Sequence, residues 1–243
     1  MKGYRWRDIR WRNLWLLPIL IVSFIVFMII VMINAAIFEE ILLQSHTSLI
    51  NYEAIGLLTQ LLAYVAVIFA FFLINLDLFK SWMKQWWQGI KRMWLWIIAI
   101  YLVTVGVMYL FSMVKEYFPT IFTSDTTQNE QIIEQLLSIP QLLPFNFLLI
   151  VIAGPIVEEI FFRHILIGEL GKKLNFVVMS VISVLLFSAI HLVDFTNWTE
   201  IFDYLIIAIP LVFLYMKSGR NLGVAIAFHM LNNFVSFCIS MIP

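Results

Sequence analysis

The sequence predicts an all-α protein: a polytopic bundle of about seven transmembrane helices with its N-terminus in the cytoplasm. Three observations predict it. Of 243 residues, 63% are hydrophobic and 12% charged, with a mean hydropathy of +0.96. Soluble domains hold about 45–50% apolar and about 25% charged residues. Seven stretches approach the roughly 20 apolar residues that a helix needs to cross a bilayer. The connections between them alternate between basic and acidic.

The spans are expected near 14–38, 54–79, 93–113, 145–167, 175–193, 202–216 and 221–242, the sixth being short. They form one membrane domain, 1–243, with its chemistry in about 145–243. The N-terminal segment carries Lys2, Arg5, Arg7, Arg10 and Arg12, and its apolar run reads as a retained anchor. Glu39, Glu40 and Glu53 follow the first span, and Lys80, Lys84, Lys91 and Arg92 the second. Asp125, Glu130 and Glu134 then outweigh Lys115. Lys172 and Lys173, then Asp194, Glu200 and Asp203, then Lys217 and Arg220 continue the pattern. Basic connections stay in the cytoplasm, so the alternation gives seven crossings. Between spans three and four, Ile132, Ile133, Leu136 and Leu137 recur at helical spacing and predict a short interfacial helix. "KSWMKQWWQGIKR" reads as an aromatic and basic belt at the inner surface, with lipid headgroup binding as the functional alternative. Asp77 is expected at the interface beside Lys80. Cys238 is a lone cysteine, read as a small apolar residue in a helix. The chain has no zinc-finger spacing, phosphate loop or solvated basic domain, which argues against nucleic-acid partners.

Polar groups at hydrocarbon depth cost several kcal/mol unless paired or wetted, so those present point to function. They are Glu158, Glu159 and Arg163 in span four, His191 at the end of span five, and His229, Asn232 and Asn233 in span seven. Glu159 and Arg163 are four residues apart, the acid first, and are expected to pair. Glu158 is turned by about 100° from Glu159 and is left for a group on another helix. His229 and Asn233 share a face, as do Phe187 and His191. Gly154 and Pro155 should loosen the helix before the acidic pair and free its carbonyls. Glu158, His191, His229 and Asn233 are therefore expected to converge in one cavity. A glutamate and a histidine around one water make a general base. A second histidine and an asparagine amide donate to an oxyanion. That set suits hydrolysis of an amide or ester. With no G-x-S-x-G motif, a water nucleophile is preferred. Glu158, His191 and His229 are also plausible zinc ligands, although no H-E-x-x-H motif is present.

"EEIFFR" (158–163), "FSAIH" (187–191) and "HMLNN" (229–233) have the forms EExxxR, FxxxH and HxxxN, in that order on successive apolar segments. In this the chain resembles the CPBP family of CAAX prenyl proteases and bacteriocin-processing enzymes, also called the Abi family. Its short length is like the bacterial branch. The resemblance implies a membrane endopeptidase acting on a peptide or lipopeptide. In it Glu158 and His191 would activate water, His229 and Asn233 would hold the oxyanion, and Glu159 and Arg163 would support them. It leaves zinc possible, and the metal-free route is preferred. His164 departs from the pattern and is expected to be structural or interfacial; His46 is expected in an outer loop. The alternatives are a non-catalytic membrane protein that confers bacteriocin self-immunity or scaffolds an envelope sensor, and an ion-coupled carrier.

One expectation concerns depth. Glu158 falls roughly 20 Å along span four from Phe145, whereas His191 ends span five on the opposite side. The two meet only if span four starts deeper or span five is sunken, and the first is expected.

Overall fold

The computed structural model describes residues 4–38, 52–122 and 126–242, and every regular element among them is helical. His46, Glu39, Glu40 and Asp125 lie outside the described residues. A 3₁₀ segment, Trp11–Trp15, leads into α1 (Leu16–Phe38). There follow α2 (Tyr52–Ile74), α3 (Phe79–Tyr117), the short α4 (Gln128–Leu137) and α5 (Pro140–Leu174). The last three are α6 (Phe176–Ile190), α7 (Ile201–Lys217) and α8 (Leu222–Ser240). Six helical stretches are long and apolar enough to cross a membrane, and α6 is a shorter apolar helix. The chain is a multi-pass membrane protein.

Three helices differ from expectation. The tryptophan-rich stretch expected as a connection is the first part of α3. No proline interrupts residues 79–117, so the helix runs until Phe118, which precedes Pro119 and cannot extend it. Trp82 and Trp86, one turn apart, stack inward with Phe71, whereas Trp87 is exposed with the Lys91 ammonium over its ring. The sixth span, α7 with its leading turn, is long enough to cross. The fifth, α6, is the short one. Its 15 residues rise about 22 Å, less than a hydrocarbon core of about 30 Å. Asn175 starts it, with positive φ and its side chain accepting from the Val177 N–H. The predicted interfacial helix is α4, capped by Thr127 through the Glu130 N–H.

Basic and acidic connections collect at opposite ends of the bundle. At one end Asp77 pairs with Arg12 (2.6 Å) and Arg10 (3.5 Å). Burial alone would raise its pKa. The Arg12 hydrogen bond and the charges of Arg12 and Arg10 outweigh that and lower it. At the other end Lys115 pairs with Asp203 at 2.7 Å, and Gln128 bonds Glu200 and Asp194. The core is Leu16, Phe71, Ile160, Ile167, Tyr215 and Ala225, where α1, α2, α5, α7 and α8 meet. At Gly223 a Cβ would stand 2.4 Å from the Trp86 Cβ, so the glycine lets α8 and α3 touch. The outer face of α1, including Ile21, Val22 and Ile33, is exposed as a lipid-facing helix would be.

Candidate active site

The site is built on α5, which is not a uniform helix. Residues Leu148–Ala153 and Ile160–Leu170 are wound as π-helix around an α-helical turn, Gly154–Glu159. Such windings occur often at functional sites. The Gly154 N–H reaches back five residues to the Leu149 carbonyl. The next such bond would run from residue 155 to the Ile150 carbonyl, but Pro155 has no N–H. The expected freed carbonyl is therefore Ile150, and Asn233 Nδ2 donates to it at 2.9 Å. Asn233 Oδ1 accepts from Asn232 Nδ2 at 3.3 Å. One of Asn233's two amide hydrogens is thereby engaged with the wall of α5.

The α-helical turn presents both glutamates. Glu159 and Arg163 are fully buried and pair at 3.1 Å, as their spacing predicts. The guanidinium carbon also lies 4.5 Å over the Phe187 ring, a cation–π contact. Glu159 has a second partner that sequence reasoning missed: its Oε1 is 2.9 Å from His229 Nδ1. The carboxylate accepts the Nδ1 proton and turns His229 Nε2 away, toward Glu158.

His191 is held in a parallel way. Its Nδ1 donates to the Phe187 carbonyl at 2.7 Å, and its ring packs on the Phe187 ring, centroids 4.6 Å apart. Tyr204 covers the ring from another side at 4.9 Å. The Tyr204 hydroxyl donates to Thr127 Oγ1 at 3.0 Å, so α4 is tied to the histidine through one residue. Neither Tyr204 nor Thr127 was among the sequence candidates. An aromatic residue in an apolar run, and a helix cap, carry no catalytic signal of their own.

Glu158 stands between the two imidazoles. Its Oε2 is 3.8 Å from His191 Nε2 and 3.7 Å from His229 Nε2. That oxygen is buried and has no hydrogen-bond partner. Both distances exceed a direct hydrogen bond. Glu158, His191 and His229 are thus brought together as expected, with Glu159 and Arg163 behind them. Glu158 and His191 do meet, His191 standing at the end of the short α6.

Neighbouring ligands of a tetrahedral zinc stand about 3.3–3.5 Å apart at bond lengths of about 2.0–2.1 Å. Glu158 Oε2 is 3.8 and 3.7 Å from the two nitrogens, and among the described residues no group of three His, Cys, Asp or Glu is arranged to hold a metal ion. As arranged, the two spacings are a few tenths of an ångström wider than that, and no step below is routed through a metal.

Residues 140–235 match the family model described as "Type II CAAX prenyl endopeptidase Rce1-like". Over 102 residues the chain is 31% identical to the Bacillus subtilis (strain 168) protein named "Putative membrane peptidase YdiL". Over this segment the chain is similar to the CAAX prenyl endopeptidases. The YdiL match covers 42% of this chain and 40% of that relative. The matched segment contains Glu158, Glu159, Arg163, His191, His229, Asn233 and also Tyr204, whereas Thr127 lies before it. No solved structure matches the chain.

Proposed function

We propose that the chain is an intramembrane endopeptidase. It hydrolyses a peptide bond in a small membrane-associated or lipid-modified peptide, using a water activated by Glu158 and His191 without a metal. The observation that carries this reading is the unpartnered Glu158 Oε2 with two imidazole Nε2 atoms 3.7–3.8 Å away. A water there hydrogen-bonds the carboxylate and His191, whose Nε2 is left as an acceptor by the Nδ1–Phe187 bond. Glu158 takes the water's proton as the oxygen attacks the scissile carbonyl, and later passes it to the leaving amine. His229, backed by the Glu159 carboxylate, donates from Nε2 in its protonated form to the developing oxyanion. Asn233 offers its remaining amide hydrogen to the same oxygen, while the other keeps the Ile150 carbonyl satisfied. Glu159 and Arg163 hold the donors in place.

The basic end faces the cytoplasm by the positive-inside rule. Comparative peptidomics of cells carrying the wild type or Glu158→Ala tests the activity. A membrane-associated peptide that stays uncut only in the variant is the expected result, and identical peptide pools contradict it. Dialysis of purified protein against a chelator is expected to leave turnover unchanged; loss restored by zinc overturns the metal-free route.

A further inference from the structure

A cleft of about 630 Å³ opens at the basic end of the bundle, and none of the candidate catalytic residues lines it. Its walls come from the N-terminal arm, the start of α3, the end of α5 and the α7–α8 turn. Four cations line it, Arg10, Arg92, Lys172 and Arg220, against one carboxylate, Glu169. That carboxylate is already used: it accepts from the Arg10 backbone N–H and from Lys172 Nζ, each at 2.7 Å. The three arginines are left with long contacts. Arg10 reaches Asn75 and Asp77 at 3.5 Å, Arg92 reaches the Ser218 carbonyl at 3.4 Å, and Arg220 reaches the Tyr4 hydroxyl at 3.5 Å. Asp77 itself is held more tightly by Arg12. Guanidinium groups prefer short, paired bonds to carboxylate or phosphate oxygens, and among the described residues none of these three has one.

Arg220 is also held in an uncommon conformation. Its φ of 64° is left-handed, a region that costs a non-glycine residue about 1 kcal/mol or more. The turn is fixed by its N–H to the Tyr215 carbonyl at 2.7 Å, and the guanidinium carbon lies 3.9 Å over the Phe176 ring. Trp82 and Trp86 line the same cleft, and Trp87 with Lys91 lies on the outside of the same helix. Indoles and basic residues at the end of a transmembrane bundle mark headgroup depth, and basic pockets between such helices take lipid phosphates.

We infer that this cleft is a phosphate-binding site, filled by the headgroup of an anionic glycerophospholipid or by a free phosphate. It stands apart from the peptidase chemistry and does not depend on it. The test is thermal unfolding of the purified full-length protein in neutral detergent. It is titrated with phosphatidylglycerol, with phosphatidylcholine, and with inorganic phosphate. Phosphatidylglycerol is expected to raise Tm in a saturable way and phosphatidylcholine to leave it unchanged. Protection by inorganic phosphate at comparable concentration assigns the site to the free ion, and its failure to protect assigns it to the lipid. Arg92→Gln is expected to weaken binding about fivefold, and Arg92→Gln with Arg220→Gln about 25-fold. Lys84→Gln, on α3 but outside the cleft, should bind as the wild type does. Unchanged affinity in Arg92→Gln, or an equal loss in Lys84→Gln, overturns the proposal. Arg92→Gln alone decides if the double variant does not fold, because Arg92 is exposed and its hydrogen bond to the Ser218 carbonyl is long, at 3.4 Å.

Discussion

Two polar clusters sit among apolar helices in this protein, and they are finished differently. Toward the basic end, Asn13, Asn75 and His164 form a closed chain. His164 Nε2 meets Asn13 Nδ2 at 3.0 Å, Asn13 Oδ1 accepts from Asn75 Nδ2 at 2.8 Å, and Asn75 also donates to the Phe71 carbonyl at 2.9 Å. His164 packs its ring edge-to-face on Phe71 and Trp82. This bears out the structural role expected of His164. In the second cluster, Glu158, Glu159, Arg163, His191 and His229, an ion pair lies at the back and the front is open. Short bonds orient both histidines by their Nδ1 atoms, yet Glu158 Oε2 has no partner. A buried oxygen without a partner costs stability. A fold that needs only cohesion builds the first cluster; the second retains an atom aimed at something that is not protein.

The sharpest way to break this contrast is at the back of the open cluster. Arg163→Leu leaves the Glu159 carboxylate buried without its ion pair and should cost about 3–5 kcal/mol, with turnover lost as well. Adding Glu159→Gln to Arg163→Leu should return part of that stability but not the turnover, because His229 loses its carboxylate. Denaturant titration alongside a cleavage assay reads both.

A smaller effect separates the two jobs of Asn233. Asn233→Leu orphans the Ile150 carbonyl and should cost about 1–3 kcal/mol. In a Pro155→Ala background an N–H is restored opposite that carbonyl, so the same change should cost less. Equal costs in both backgrounds would deny that Asn233 fills the gap left by proline.

Tyr204→Phe keeps the ring on His191 and removes the hydroxyl bond to Thr127. It should cost about 1 kcal/mol of stability and lower kcat a few-fold, whereas Tyr204→Ala frees the imidazole and should lower kcat further.

The smallest effect lies in the loop after His191. Asp194 accepts from the Thr196 hydroxyl and the Gln128 amide, then from backbone N–H groups, and these hold its pKa down at about 2. An unfolded aspartate titrates near 3.9, so this contribution is present above that pH and is lost as pH falls toward about 2. Asp194→Asn should lower stability slightly at neutral pH and flatten the acid limb of a stability–pH curve, so that the difference from the wild type vanishes as pH falls toward about 2.

Much of this was legible in the sequence because membrane burial makes each polar residue conspicuous. The Glu159–Arg163 pair followed from i, i+4 spacing, and the meeting of Glu158 with His191 from helix faces. The second partner of Glu159 did not, because the rotation of α8 against α5 is set by packing of Val157, Ile160, Ala225 and Ile226, which carries no one-residue signal. The π-helical windings were half legible: Gly154 and Pro155 announced a loosened helix, but not which carbonyl it frees. Span ends failed where local chemistry lacked a stop, as in α3.

One paired measurement bears most directly on the central claim. Glu158→Gln and His164→Leu are made in the full-length protein, and cleavage of a membrane peptide substrate and Tm are recorded for both. The account predicts that Glu158→Gln lowers turnover about 10²–10⁴-fold with Tm unchanged or raised. It predicts that His164→Leu lowers Tm while folded protein keeps its turnover. Full turnover in Glu158→Gln, or a fall in Tm as large as that of His164→Leu, would contradict it.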